Sequence, residues 1–288
     1  MPKGTIISMG GNVKLSPEET LFKKFIDISS HGSDYEPRLG IVPTASGNPI
    51  RSGKKYSELF EKMGAEVYIL HPVERESANS KSLISKAEEV DSFFFTGGNQ
   101  LRLTTVLGGT NLLDTIKNKF EEGCTLAGTS AGAVCMTSTM IAHGLAEDAL
   151  MIGEVELTRG LAFIENAVID THFTARGRFP RLFHVVTENP GVLGIGLGEE
   201  TGIVWDFENT SFTVLGNRNI VIVDGKTICF SNTADTEPGK PFTTEGITVH
   251  ILSDGFQFDF DERIVVPPNK GKYKISQGKK TAKIEQDE

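Results

Sequence analysis

The chain has 288 residues, with 38 acidic against 29 basic side chains and a net charge of −9. A chain this long buries a full core without disulfide or metal staples, and its ordinary apolar content excludes global disorder. The acidic balance, with no broad basic stripe, excludes nucleic acid as the expected partner.

Taken in order, the first part of the chain alternates strand and helix. Residues 4–9 read as a buried strand that stops at Gly10-Gly11. Ser16-Pro17-Glu18-Glu19 reads as a helix start, with an N-cap serine, proline in the first turn and acids at the positive end of the dipole. Leu21, Phe22, Phe25, Ile26 and Ile28 then recur at helical spacing. A strand over 39–43 precedes a helix carrying Tyr56, Leu59, Phe60 and Met63 on one face and ending at Gly64. Further strands are expected over 66–70, 92–96 and 124–127, with helices over 82–89 and 111–122. Gly123 is placed to close the last of these helices.

Such alternation implies right-handed crossovers and a mostly parallel sheet covered on both faces, a three-layer α/β sandwich of flavodoxin-like kind. Sites in such folds lie at the carboxyl ends of the strands. Gly10-Gly11, Gly97-Gly98 and Gly128/Gly132 fall at those ends, where backbone turns sharply and approaches a ligand. Beyond residue 200 the chain becomes β-rich: runs over 201–207, 211–215 and 219–224 extend the same domain as antiparallel strands. Runs over 248–252 and 255–260 read as a hairpin around Ser253-Asp254-Gly255. Residues 1–266 are expected to form one domain and 267–288 a mobile Lys-rich tail. Cys124, Cys135 and Cys229 are too few and scattered for a disulfide framework, and no pair has zinc spacing. With no leader and no apolar run of membrane length, a cytoplasmic location is expected.

Gly128-Thr129-Ser130-Ala131-Gly132 matches the G-x-S-x-G nucleophile elbow, with an apolar strand before it and helix-forming residues after. Ser130 needs small neighbours because it occupies a strained turn, and the Ala131 amide then faces a developing oxyanion. A second donor is expected from the Gly98 or Asn99 amide, directly after the Phe93-Phe94-Phe95 strand. Among the six histidines, His172 is the candidate base, because it closes the apolar run 166–170 and opens a segment holding Arg176, Arg178 and Arg181. His31 and His71 read as helix-end or loop residues, His143 lies beyond the nucleophile helix and His184 inside a helix. His250 with Asp206 or Asp224 is the rival set. Glu199 or Glu200, after a glycine-rich strand, is the candidate acid that orients His172. The three arginines suit a carboxylate-bearing substrate, and Asp170 either pairs with a substrate guanidinium or holds one of them.

These residues together resemble the serine peptidase family of cyanophycinases and aspartyl dipeptidases, over a stretch from the first strand to about residue 225. The resemblance is carried by Phe94-Phe95-Thr96-Gly97-Gly98-Asn99-Gln100, by Gly128-Thr129-Ser130-Ala131-Gly132-Ala133, by the block from Asp170 through His172-Phe173 to Arg176, Arg178 and Arg181, and by the run from Leu193 to Thr201. It implies a class I glutamine-amidotransferase-like fold and a triad of Ser130, His172 and Glu199, with Gly98 and Ala131 as oxyanion donors. It also implies hydrolysis of cyanophycin, a polyaspartate carrying arginine on each side-chain carboxyl, to β-Asp-Arg dipeptides. In that family the equivalents of Gln100, Asp170, Arg176, Arg178 and Arg181 line the substrate pocket. Thr171 stands there where the family has Gln, and Asn99 stands where Asp is common. The expected partner is a peptide or polymer containing Asp and Arg, with a homodimer as candidate assembly and no cofactor or metal required. The alternatives are an α-aspartyl or isoaspartyl dipeptidase of the same family, and a non-catalytic binding or sensor protein on the same fold.

Overall fold

The computed structural model describes residues 4–30 and 35–268. His31 and the tail beyond Pro268 lie outside the described residues. In chain order, the first half runs β1 (Ile6–Met9), α1 (Thr20–Ser29), β2 (Arg38–Val42), α2 (Pro49–Lys62), β3 (Glu66–Ile69), α3 (Lys81–Glu89), β4 (Ser92–Phe95), α4 (Gln100–Leu107), α5 (Asn111–Glu121), β5 (Thr125–Thr129) and α6 (Ala131–Val134). The second half adds β6 (Thr139–His143), β7 (Glu156–Arg159), β8 (Ala167–Asp170), α7 (Phe179–Glu188), β9 (Leu193–Leu197), β10 (Thr201–Asp206), β11 (Ser211–Gly216) and β12 (Ile220–Asp224). Short β13 (Phe230–Ser231) and β14 (Thr244–Glu245) then precede β15 (Thr248–Leu252), β16 (Gln257–Asp259) and β17 (Ile264–Val266).

The main sheet has nine strands in the order β17-β16-β11-β10-β1-β5-β4-β2-β3. From β1 to β3 every pairing is parallel, and from β1 outward through β10, β11, β16 and β17 every pairing is antiparallel. Side chains alternate across this sheet as strand geometry requires. Ile6, Phe93 and Phe95 enter one core, while Ile7, Met9 and Phe94 enter the other, beneath Phe22 and Phe25 of α1 and Phe60 of α2. Both faces are therefore covered, which is why β4 and β5 are buried along their whole length and β4 reads as a run of three phenylalanines. A second sheet of four strands, β15-β12-β9-β8, packs Ile169, Ile195 and Ile222 into the first core. Its other face is covered by Leu182, Val185 and Val186 of α7. The α/β architecture with a β-rich C-terminal part follows the expectation. Among the described residues, no helix is long and apolar enough to cross a membrane.

Local details differ from the sequence-based expectations. Helix α1 begins at Thr20, because Ser16 closes a separate turn in which its carbonyl accepts from the Glu19 N–H (3.1 Å). The expected hairpin over 248–260 does not form. Leu252 pairs with Ile220 in the second sheet, whereas Phe258 pairs with Phe212 in the main sheet, so the Ser253–Gly255 turn passes the chain between sheets. Helix α4 and the β6–β7 pair carry no expectation from the sequence; Asn99 caps α4 by accepting from the Leu101 N–H at 2.9 Å.

Candidate active site

Ser130 sits between β5 and α6 with φ +53° and ψ −119°, a sparsely populated conformation that costs about 1–3 kcal/mol. Its glycine neighbours are there for close approach. A Cβ on Gly128 would lie 2.4 Å from the Gly132 carbonyl oxygen, and one on Gly132 would lie 2.2 Å from that of Phe95. Helix α6 is only four residues long, so the amide of Ala131 matters here more than a helix dipole.

His172 follows β8 with φ +52°, and Glu200 follows Glu199 beyond β9 with φ +53°. Both turns are tied to the end of β1. The Met9 carbonyl accepts from the Ser130 N–H (2.9 Å), the Gly10 carbonyl from the His172 N–H (2.8 Å), and the Gly11 carbonyl from the Glu200 N–H (3.0 Å). Three elements distant in sequence are thereby registered on one strand end.

The side chains form a continuous hydrogen-bonded series. Ser130 Oγ is 3.0 Å from His172 Nε2, and His172 Nδ1 is 2.7 Å from Glu199 Oε1. Glu199, rather than Glu200, is thus the acid beside the imidazole. Glu199 Oε2 accepts from Asn12 Nδ2 at 3.3 Å. The hydrogen bonds from His172 and Asn12, with the nearby Arg176 charge, hold the Glu199 carboxyl below the usual carboxylate range.

The Gly97-Gly98 turn runs beside the serine, and a Cβ on Gly97 would lie 3.3 Å from Ser130 Cβ. Gly98 has φ +148° and packs so tightly that a Cβ would meet the Ala45 carbonyl oxygen at 2.0 Å. The Asn99 N–H donates to Ala45 at 2.8 Å, which removes it as an oxyanion donor. Gln100 directs Nε2 to the carbonyls of Ile141 (3.0 Å) and Ala142 (3.3 Å).

The acidic and basic groups around His172 divide by burial. Asp170 is buried and holds both Arg178 (2.9 Å) and Arg181 (3.0 Å), so within the chain it acts as the anchor of arginines. Thr171 is buried, and its carbonyl accepts from Arg178 at 2.8 Å. Arg176 is exposed. In the rival set, His250 and Asp224 lie on the paired strands β15 and β12, but both are otherwise engaged. His250 lies in β15 with its ring against Phe258, while Asp224 holds Arg263 at 3.2 Å and Asp206 caps the turn to Asn209. His184 is buried in α7 and bonded to the Ala149 carbonyl at 2.7 Å.

A cavity of about 600 Å³ lined by Phe120, Phe163, Trp205, Phe207 and Phe260 opens at the amino ends of the parallel strands, away from Ser130. The chemistry-bearing groups do not face it. Among the described residues no three or more His, Cys, Asp or Glu side chains converge as metal ligands. The sequence pattern did not single out Asn12; it placed Gly11 at a strand end where the backbone turns toward a ligand, without linking it to His172.

The family model for peptidase family S51 matches residues 5–214. A cyanophycinase from Trichormus variabilis is 38% identical over 267 residues, covering 92% of this chain and 88% of the relative. A peptidase E from Nostoc sp. is 28% identical, covering 71% of this chain and 83% of the relative. Among solved structures, a peptidase from an acI-B1 actinobacterium superposes with a TM-score of 0.67 at 21% identity, covering 90% of this chain and 98% of that one. At that identity the superposition speaks for the fold.

Proposed function

The chain belongs to peptidase family S51 and is a serine-type peptidase, and from that premise we propose that it degrades cyanophycin, releasing β-Asp-Arg dipeptides through an acyl-enzyme on Ser130. The observation that carries the reading is the series Ser130 Oγ–His172 Nε2 at 3.0 Å and His172 Nδ1–Glu199 Oε1 at 2.7 Å.

His172 takes the hydroxyl proton of Ser130 as Oγ attacks the peptide carbonyl carbon. The oxygen that gains charge is met by the N–H groups of Gly98 and Ala131. The C–N bond then breaks and His172 passes its proton to the departing amine. Water enters, loses a proton to the same imidazole and attacks the ester, which frees the acid and restores the serine hydroxyl. Glu199 holds the imidazole in the tautomer with hydrogen on Nδ1 and stabilises the cation formed between the steps.

The substrate groups proposed are Gln100, Asp170, Thr171, Arg176, Arg178 and Arg181. Arg176 is the exposed member, suited to a polymer carboxylate. The buried Asp170 and Arg181 and the half-buried Arg178 contribute by shaping the wall from which Arg176 and His172 project. The test is release of β-Asp-Arg from purified cyanophycin by the wild type and by Ser130→Ala, with α-Asp-X and β-Asp-X dipeptides in parallel. Release that disappears in Ser130→Ala supports the reading. Turnover of the dipeptides but not the polymer replaces it with a dipeptidase, and undiminished release by Ser130→Ala ends it.

A further inference from the structure

We propose that Gly11 and Asn12 are positioning residues for the Ser130–His172–Glu199 unit, Gly11 by leaving the seat in which the imidazole lies and Asn12 by holding the outer oxygen of Glu199. This rests on the reading of that unit as the catalytic machinery.

Gly11 has φ +99°, and a Cβ built there would stand 2.4 Å from His172 Cε1 and 2.5 Å from Nε2. Nε2 is the atom that faces Ser130 Oγ. The imidazole therefore rests directly on the backbone at the end of β1, and any side chain at this position would push Nε2 off its line to the serine. The same residue's carbonyl accepts from the Glu200 N–H, so one peptide both seats the base and registers the loop that carries its acid.

Asn12 continues the turn with φ +51°, a conformation asparagine tolerates better than most residues. Its Nδ2 reaches Glu199 Oε2 at 3.3 Å while Oε1 is engaged by His172 at 2.7 Å. The terminal torsion of a glutamate is broad and twofold, so a carboxylate held by one oxygen can still swing. Engaging both oxygens fixes its plane toward Nδ1. The charged groups that act on Glu199 here are His172 and Arg176, with Glu200 as the adjoining carboxylate. Asn12 is exposed, so its contribution is one of alignment and is modest in size.

The full-length wild type is compared with Ser130→Ala, Gly11→Ala, Asn12→Gly and Asn12→Asp. Three quantities are measured: cyanophycin hydrolysis, the rate of covalent labelling by a fluorophosphonate across pH 5–9, and Tm. Asn12→Gly keeps the left-handed backbone accessible and removes only the amide. Gly11→Ala is expected to lose about 100-fold in both hydrolysis and labelling, the usual cost of displacing a reacting group by about an ångström. Asn12→Gly is expected to lose about three- to tenfold in kcat with KM within about twofold. Asn12→Asp adds negative charge beside Glu199, which favours the protonated imidazole, so the acid limb should move upward by about half to one pH unit. Wild-type kcat and pH profile in both Asn12 variants would overturn the role of Asn12. Wild-type rates in a folded Gly11→Ala would overturn that of Gly11. If Gly11→Ala does not fold, the Asn12 variants carry the test. Should Ser130→Ala still hydrolyse and label, the catalytic reading fails and the proposal with it. Should it be inert while Gly11→Ala and Asn12→Gly match the wild type, the proposal alone fails.

Discussion

Arg181 Nε lies 3.0 Å from Asp170 Oδ2 in the interior of the fold, where the aspartate is 1% and the arginine 7% exposed. Arg178 Nη1 binds the other oxygen at 2.9 Å, and Arg181 Nη1 reaches the Gly144 carbonyl at 3.1 Å. One carboxylate at the end of β8 thus anchors the start of α7 and the loop after β6. Burial holds the Asp170 carboxyl above the usual carboxylate value, with the charges of Arg181 and Arg178 opposing it only in part. Breaking such a set by removing one partner leaves a buried charge uncompensated. Asp170→Asn strands two guanidiniums beside each other and should lower stability by about 3–5 kcal/mol. Urea denaturation reads this directly, and a variant as stable as the wild type would contradict it.

Glu199 and Glu200 are neighbours in sequence with different surroundings, since only Glu199 touches His172. Glu199→Gln should reduce kcat by about 10³-fold with little change in KM, because the amide cannot hold the required tautomer or stabilise the imidazolium. Glu200→Gln should stay within about threefold of the wild type. Because hydrogen bonding from His172 keeps the Glu199 carboxyl below its usual range, it is ionised throughout the neutral region. Equal losses in the two variants would refute the assignment.

What the sequence disclosed depended on whether the signal was local. The strand leading to Gly98 is a run of phenylalanines bounded by glycine, so its existence and its ends were readable to within a residue; the strand leading to Ser130 was readable as a strand, but it runs through Gly128 to Thr129, two residues past its expected end. The turn at Ser253-Asp254-Gly255 has hairpin chemistry, but pairing is decided by partners far away. Ile220 claims Leu252 for one sheet and Phe212 claims Phe258 for the other. Helix α4 lacks a long amphipathic stripe, and only its cap at Asn99 marks its start. Asn12 escaped notice because its link to Glu199 spans 187 positions and belongs to no motif. The burial of Asp170 was equally out of reach, since an aspartate beside arginines looks the same in sequence whether it is solvated or enclosed.

Close backbone packing beneath the nucleophile gives another prediction. Gly132 lies against β4 so tightly that a Cβ would meet the Phe95 carbonyl oxygen at 2.2 Å, a contact that only backbone movement can relieve. Gly132→Ala should destabilise by about 1–3 kcal/mol, as overpacking does, and should also cut activity because the displaced segment begins at Ser130. Gly47 is the control: no atom lies within 4 Å of a Cβ built there. Gly47→Ala should change stability by less than about 0.5 kcal/mol, as surface substitutions do. Thermal unfolding of the two variants side by side decides the matter, and similar Tm shifts would count against it.

The last prediction concerns acid stability. Asp91 receives the Arg38 backbone N–H at 2.9 Å, Arg38 Nη2 at 3.2 Å and the Tyr35 hydroxyl at 2.9 Å, fastening the start of β2 to the turn before β4. Burial raises its carboxyl, but the combined hydrogen bonds and the Arg38 charge outweigh this and leave it below the ordinary value of 3.8. A carboxyl lowered in the folded state contributes stability that is fully present above its unfolded pKa. That contribution is lost as pH falls through the lower, folded one. Asp91→Asn should therefore cost about 1 kcal/mol at pH 7, a figure reduced for the partial exposure of the pair. The difference from the wild type should shrink as pH falls below about 4 and vanish where Asp91 itself is protonated. Urea midpoints at pH 7, 4 and 2.5 for both proteins provide the check, and a pH-independent difference would show that the Asp91 charge is not what stabilises this corner.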